Sequence, residues 1–353
     1  MAQLTGMRIV VAGAGAVGST AALALQRTGA RVLLADPAPP GLNASGVAAG
    51  MLAPAMEAAL DPLSHGHFGL LRRGRDAWRE LAPSIGAEIH ECGALWFGEE
   101  TVRPRVEARL THAGAKWRAI AGAEAEAMSP GLRAPSAGLF TEEDWRLDPK
   151  PVLAALARAF EAAGGRRVAA AVSGFEGGAA RLSDGSATPA DALVLATGGA
   201  ATGFADAPLE SARLVPIKGQ IARFEGFGPK SGPVVRHAGG YVVPGEGGPF
   251  AGATMEEGRS DAAVDLDVVE ALAETASAFF PGLAGAEFAA AAGVRYGLPD
   301  GLPLVGASST PGVFLALGAR RNGWLLAPLI ADGVVAAISG DESPAFRPGR
   351  FVS

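Results

Sequence analysis

Three glycines and one acid near the start of the chain have the spacing of a cradle for phosphate and ribose. Ala12-Gly13-Ala14-Gly15-Ala16-Val17-Gly18 follows the apolar run Arg8-Ile9-Val10-Val11-Ala12 and opens an Ala- and Leu-rich stretch over residues 16–29. A second apolar run, residues 31–35, ends in Asp36, eighteen positions after Gly18. Gly13 permits a sharp turn from strand to helix, Gly15 lets the backbone approach a pyrophosphate, and Gly18 lets the helix pack closely on the strand. The helix N-terminus, with Ala16 and Val17 in its first turn, offers unpaired N–H groups and partial positive charge to phosphates. Asp36 can accept hydrogen bonds from a ribose diol. Because strand, turn, helix, strand and acid fall in order, the stretch predicts dinucleotide binding. Alone it does not choose between NAD and FAD, and an ordinary β-α-β unit has the same outline. A second glycine turn, Thr197-Gly198-Gly199, follows the wholly apolar run 192–196, where open α/β sheets bind ligands.

Other chemistries find little support. The chain has 30 Lys and Arg against 36 Asp and Glu, a net charge of −6, and no basic stripe interleaved with aromatics, which argues against a nucleic-acid-binding face. The single cysteine, Cys92, rules out an intrachain disulfide and a multi-cysteine metal site. It fits a reducing compartment, and a cytoplasmic location is expected. His65-Gly66-His67 lacks a convincing metal spacing and reads as a solvated loop, so no metal is expected. No secretory signal is expected, because the first apolar run leads straight into the glycine turn. Residues 324–339 are apolar but broken by Pro328, Asp332 and Gly333, which predicts a buried helix rather than a membrane span.

These residues need a frame to position them. At 353 residues the chain is long enough for two domains. Helical spacing predicts helices over 65–83 and 101–113, a helix over 149–163 with Asp148 as its N-cap, and another over 265–280. Residues 89–97, 166–176, 179–182 and 192–196 read as strands. Small residues fill Asn43 to Pro54, where either a flat ligand or a tight helix contact would be accommodated. From Leu214 the texture changes to short strands separated by Gly- and Pro-rich turns, which predicts an antiparallel sheet inserted into the first domain. A return strand over 288–296, a turn at 300–306, a strand over 312–317 and a final helix from Trp324 complete the outline. The fold class is α/β: a Rossmann-like nucleotide-binding domain with an inserted antiparallel-sheet substrate domain of α+β type.

Five stretches in fixed order carry a more specific likeness: the fingerprint with Asp36, Ala48-Ala49-Gly50-Met51, Ala196-Thr197-Gly198, Asp300-Gly301-Leu302-Pro303, and Gly318-Ala319-Arg320-Arg321-Asn322-Gly323. Together they resemble the D-amino-acid oxidase superfamily of FAD-dependent oxidoreductases, and within it glycine oxidase of the thiamine-biosynthesis type. The likeness covers nearly the whole chain.

The resemblance implies FAD bound non-covalently across the fingerprint, with Asp36 at the adenosine ribose and Val172 where the family's adenine-contacting backbone lies. It implies that Ser45, Ala48, Ala49, Gly50 and Met51 run along the flavin. Thr197, Gly198, Asn322, Gly323 and Trp324 complete the cofactor set. Arg295 matches the arginine that pairs with the substrate carboxylate, and Arg321 a second arginine near substrate and flavin. Tyr241 and Met255 match pocket residues. Lys218-Gly219-Gln220 matches the strand that starts the substrate domain. The implied reaction is oxidative deamination of a small amino acid, glycine or an N-substituted glycine such as sarcosine. Hydride passes from Cα to flavin N5, giving an imine and keto acid while oxygen becomes hydrogen peroxide. Such a transfer needs an orienting clamp more than a general base. The implied cofactor domain comprises 1–85, 145–213 and 291–353, and the substrate domain 86–144 and 214–290; a homo-oligomer is compatible with this layout. Gly245, Ala319, Arg320 and Tyr296 depart from the family's usual residues, which puts glycine as the substrate in question. The alternatives are an amino-acid dehydrogenase with another acceptor, a flavin-binding protein with a repurposed pocket, and an NAD-dependent dehydrogenase, which explains the first turn alone.

Overall fold

The computed structural model describes residues 4–199, 204, 207–341 and 344–351. The few remaining residues, all within the expected cofactor segments, lie outside the described ones.

Two sheets dominate. The first has six strands in the order Leu304–Ala307, Val313–Leu317, Ala192–Leu195, Arg8–Ala12, Arg31–Ala35, Arg166–Val168. Its pairs are parallel except that between Leu304–Ala307 and Val313–Leu317. The apolar runs follow from burial on both faces: Val10, Val11, Leu193 and Val194 are completely enclosed. One face carries the helices Ala16–Arg27, Pro149–Ala162 and Gly323–Ile338, with Phe68–Ser84 behind them. Trp78 anchors this layer; its indole N–H donates to the Trp324 carbonyl at 2.8 Å, and the two rings lie 5.9 Å apart. The other face packs on a small antiparallel sheet of Val172–Glu176, Ala179–Leu182 and Ala187–Pro189.

The second sheet has nine strands, built around the long pair Val215–Phe224 and Phe288–Gly297. It is largely antiparallel, as expected from the turn-rich sequence after Leu214. The exception is Ala94–Phe97, which pairs in parallel with Val234–His237. The helix Leu266–Phe279 covers one face, with Asp265 accepting the Val268 N–H as its N-cap.

Some expected boundaries move for local reasons. The helix expected over 65–83 starts at Phe68, because Pro62–Ser64 first forms a 3-10 turn. Only Ala94–Phe97 of the strand expected over 89–97 joins the sheet; His90 makes an isolated bridge to Arg146. Asp148 occupies the N-cap position without a capping bond, since its carboxylate accepts from Arg146 Nη1 at 2.9 Å. Among the described residues no helix is long and apolar enough to cross a membrane.

Candidate functional site

The fingerprint glycines fall into two kinds. Gly13 has φ of +103°, and a Cβ there would lie 2.5 Å from the Ala196 carbonyl oxygen. A Cβ on Gly18 would overlap the Gly13 carbonyl. These two let the first strand, the first helix and the end of the Ala192–Leu195 strand meet. A Cβ on Gly15 meets only the Ser45 hydroxyl, at 3.0 Å, so this glycine faces open space beside the loop. No side chain caps the helix at Gly15, and its first turn holds no acid. The Ala16 N–H donates to Ser45 Oγ at 2.9 Å. Asp36 Oδ2 accepts from the Ala14 N–H at 2.6 Å, and Oδ1 from the Ala38 N–H at 2.8 Å. An open glycine face, a helix N-terminus free of acids and a carboxylate beside the loop fit the nucleotide half of FAD.

The other expected cofactor residues gather around this cradle. Thr197 and Gly198 leave the sheet beside Gly13, with Thr197 Oγ1 donating to the Gly199 carbonyl at 2.9 Å. Val172 packs with Ala35 and Ala170 beside the strand end that carries Asp36. Asn43 caps the short helix Ala44–Val47. Ser45 then bonds two helices: its hydroxyl accepts from Ala16, and its carbonyl accepts from Trp324 Nε1 at 3.0 Å. Ala48 and Ala49 follow, Gly50 turns with φ of +73°, and Met51–Leu52 pairs with Trp145–Arg146. Asn322 precedes the helix that starts at Gly323.

The substrate face rests on two glycines. Gly219 and Gly293 are direct partners across the long strand pair, as are Ile217 and Arg295. Side chains alternate along a strand, so Gly219, Gly293 and Arg295 share a face. A Cβ on Gly219 would overlap the Arg295 guanidinium, and one on Gly293 would lie 3.1 Å from Ala44 Cα. The glycine pair therefore admits the arginine on one side and the flavin-lining helix on the other. Arg295 Nη1 donates to Met255 Sδ at 3.0 Å and Nη2 to the Thr254 carbonyl at 3.1 Å. No carboxylate among the described residues pairs with it. Burial lowers its pKa, and Arg321 and Arg320 add to that effect. Tyr241 stands opposite Gly252, and burial raises its phenol despite Arg295, Arg236 and Arg321 nearby.

A charged cluster closes the site. Glu57, 4% exposed, projects from the helix Pro54–Leu60. Arg321 grips it with Nε 2.6 Å from Oε2 and Nη2 2.8 Å from Oε1. Arg236 Nη2 approaches Oε1 at 3.3 Å. Although burial opposes it, Glu57 and Asp61 hold the Arg321 pKa above its ordinary value. Asp144 caps the helix bearing Glu57, accepting from the Ala55 N–H at 2.8 Å and the Met56 N–H at 3.2 Å. Burial raises the Asp144 carboxyl to about 7. Behind Arg321, Arg320 adopts φ of +50° and its Nη1 lies 2.7 Å from Asp61 Oδ2.

Arg295, Arg321, Tyr241 and Met255 thus come together. Glu57, Arg236, Asp144 and Asp61 join them without having been singled out in the sequence. Glu57 is the lone acid in the run Ala53-Pro54-Ala55-Met56-Glu57-Ala58-Ala59-Leu60, and Arg236 follows Val234-Val235. A charge isolated in an apolar segment was the signal. Of the departures, Arg320 joins the charged cluster and Tyr296 accepts its backbone N–H at 2.8 Å. Gly245 lies in a turn against Gly248 and Phe250, touching none of the site residues. Among the described residues no three His, Cys, Asp or Glu side chains form a metal cluster.

Comparison with known proteins agrees in family. The profile of the DAO family, FAD dependent oxidoreductase, matches residues 8–337. The chain is 33% identical over 363 residues to a putative thiamine biosynthesis oxidoreductase ThiO of Rhizobium etli, covering 98% of this chain and 100% of that one. It superposes on the crystal structure of glycine oxidase from Geobacillus kaustophilus with a TM-score of 0.84, at 25% identity, covering 98% of this chain and all of that one. It is also 36% identical over 179 residues to a tRNA 5-methylaminomethyl-2-thiouridine biosynthesis bifunctional protein MnmC of Caulobacter sp., where the match spans 46% of this chain but only 28% of that protein.

Proposed function

This chain belongs to the DAO family of FAD-dependent oxidoreductases, and from that premise we propose that it oxidises a small amino acid, glycine or an N-substituted glycine, at its Cα–N bond. FAD, when bound, supplies the two-electron acceptor, and the reduced cofactor returns its electrons to oxygen as hydrogen peroxide. The glycine face at Gly15, the helix N-terminus at Ala16 and Asp36 would hold its nucleotide half. The segment Ser45–Met51, the 197–198 turn and the Asn322–Trp324 helix start would hold the rest. The attachment is non-covalent. Burial keeps the thiol of the single cysteine, Cys92, protonated, and Gly293 leaves no reactive side chain on the strand beside Ala44. Residues 1–85, 145–213 and 291–353 serve the cofactor, and 86–144 and 214–290 the substrate.

Arg295 carries the reading. It is a largely buried guanidinium with sulfur and carbonyl acceptors but no carboxylate, and unpaired buried charge is costly. A substrate carboxylate would supply the missing anion through a planar two-point contact. Fixing that end of a small amino acid aims its Cα–H bond, and well-aimed reactants can save roughly 7–11 kcal/mol of barrier at the upper end. Tyr241 and Met255 wall the same space, and Arg321 adds a second cation. No side chain is required to remove a proton from carbon. Protein purified with FAD should lose its yellow absorbance anaerobically with glycine or sarcosine, and should form peroxide in air. An unbleached spectrum across a panel of amino acids and secondary amines would sink the proposal. Bleaching without peroxide would instead identify a dehydrogenase.

A further inference from the structure

Three guanidinium groups converge on this site, yet only one carboxylate touches them. Arg236 and Arg321 share Glu57, at 3.3 and 2.6 Å, and Arg295 has no carboxylate partner among the described residues. Asp144 is close, but both its oxygens accept backbone N–H groups and neither bonds a guanidinium. Asp61 is engaged by Arg320 at 2.7 Å. Arginines left short of anions carry desolvation that nothing repays. Such a cluster is suited to anions that arrive with the ligand.

Arg236 sets how many anions fit. It is 4% exposed, with Met51 Sδ 3.5 Å from Nη1 and the Tyr241 ring centroid 6.0 Å from its guanidinium carbon. It is too enclosed to receive a ligand itself. Its effect passes through Glu57, whose Oε1 it shares with Arg321. With Glu57 discharged from behind, Arg321 keeps excess positive charge. The Arg321 side chain is 23% exposed, and its Nη1 bonds no described residue. Two planar forks, Arg295 and Arg321, are then left for incoming acids.

Resting on the oxidase reading above, we propose that the preferred substrate is a secondary amine bearing two carboxylates, an N-carboxyalkyl glycine. Arg295 takes one acid and Arg321 the second. Arg236 is the specificity-determining residue, because it cancels Glu57, whose charge would otherwise repel the second acid. The added acid takes no part in bond making or breaking.

The test uses the FAD-loaded protein, with iminodiacetate and sarcosine as paired probes. Binding is read by calorimetry and reduction by anaerobic loss of flavin absorbance. Iminodiacetate should be favoured over sarcosine by at least about tenfold. Arg236→Gln should bring that ratio close to one, and Arg236→Lys, which keeps the charge, should retain most of it. A wild-type ratio at or below one overturns the inference, and so does an Arg236→Gln variant that weakens both ligands by the same factor. If neither probe reduces the flavin, the oxidase reading fails, while the calorimetric ratio still decides the charge preference. The wild-type ratio stands even if the Gln variant does not fold.

Discussion

Gly219 is a glycine because Arg295 lies where its Cβ would be. The two belong to neighbouring antiparallel strands, and their positions on one face follow from the register Gly219↔Gly293 and Ile217↔Arg295. A backbone position with no chemistry of its own thereby fixes the direction of the guanidinium.

The Gly219→Ala variant should therefore imitate loss of the arginine. Its methyl group expels Arg295 from its seat, and substrate KM should rise at least about thirtyfold, the counterpart of roughly 2 kcal/mol of carboxylate binding. FAD content should stay at the wild-type level. Arg295→Met should give the same pattern. Steady-state kinetics with an unchanged KM in Gly219→Ala would show that the guanidinium does not hold the substrate.

The fingerprint glycines should separate folding from cofactor binding. Gly18→Ala drives a methyl group into the Gly13 carbonyl and should cost several degrees of melting temperature even without FAD. Gly15→Ala meets only the Ser45 hydroxyl, at 3.0 Å, and its backbone is ordinary, so the apoprotein should melt as wild type does. FAD affinity should nonetheless fall by about tenfold or more, because the methyl group stands where a pyrophosphate approaches. Equal affinity in equilibrium dialysis would remove Gly15 from the phosphate site.

Asp144 gives a pH signature with a definite sign. Its carboxyl titrates at about 7 in the folded protein, well above its ordinary 3.8. As pH rises, the unfolded chain gives up this proton first. The residue therefore costs no stability below about pH 4, costs progressively more up to about pH 7, and levels off above that. The full cost is about 4 kcal/mol. Asp144→Asn loses one cap bond at every pH but does not titrate. The stability of the variant minus that of wild type should therefore climb between pH 4 and pH 8 in denaturant titrations. A flat difference would show that the carboxyl is not raised.

Trp324→Phe keeps the ring against Trp78 but removes the donor to the Ser45 carbonyl, 3.0 Å away. Loss of this bond should cost about 1 kcal/mol and loosen the segment along which the flavin is expected to lie. FAD affinity should drop about fivefold, with the same far-ultraviolet circular dichroism. Unaltered affinity would confine Trp324 to packing.

The cofactor half of the molecule was readable because its requirements are local. Gly13, Gly15, Gly18 and Asp36 lie within one β-α-β unit, and the apolar runs at 8–12 and 192–195 announce a sheet buried on both sides. Arg295 and Arg321 emerged only through likeness to a family, since neither segment marks its arginine as internal. Glu57, Arg236 and Asp144 escaped because their significance is a meeting of three distant segments. Nothing near Glu57 in sequence reveals that Arg236, 179 positions away, will share its charge. The parallel pairing of Ala94–Phe97 with Val234–His237 was hidden for the same reason, as neither strand is adjacent to the other in the chain.

Ser45 joins residues from opposite ends of the polypeptide, Ala16 through its hydroxyl and Trp324 through its carbonyl. The Ala192–Leu195 strand likewise waits for Val313–Leu317 as a neighbour, and the helix Gly323–Ile338 packs on Ala16–Arg27. The nascent chain therefore displays its nucleotide fingerprint early but cannot close the pocket until almost the last residues have been synthesised. Productive loading of the cofactor becomes a late event in biogenesis, and a chain cut short before position 324 would carry the signature of a flavoprotein without the means to retain its flavin.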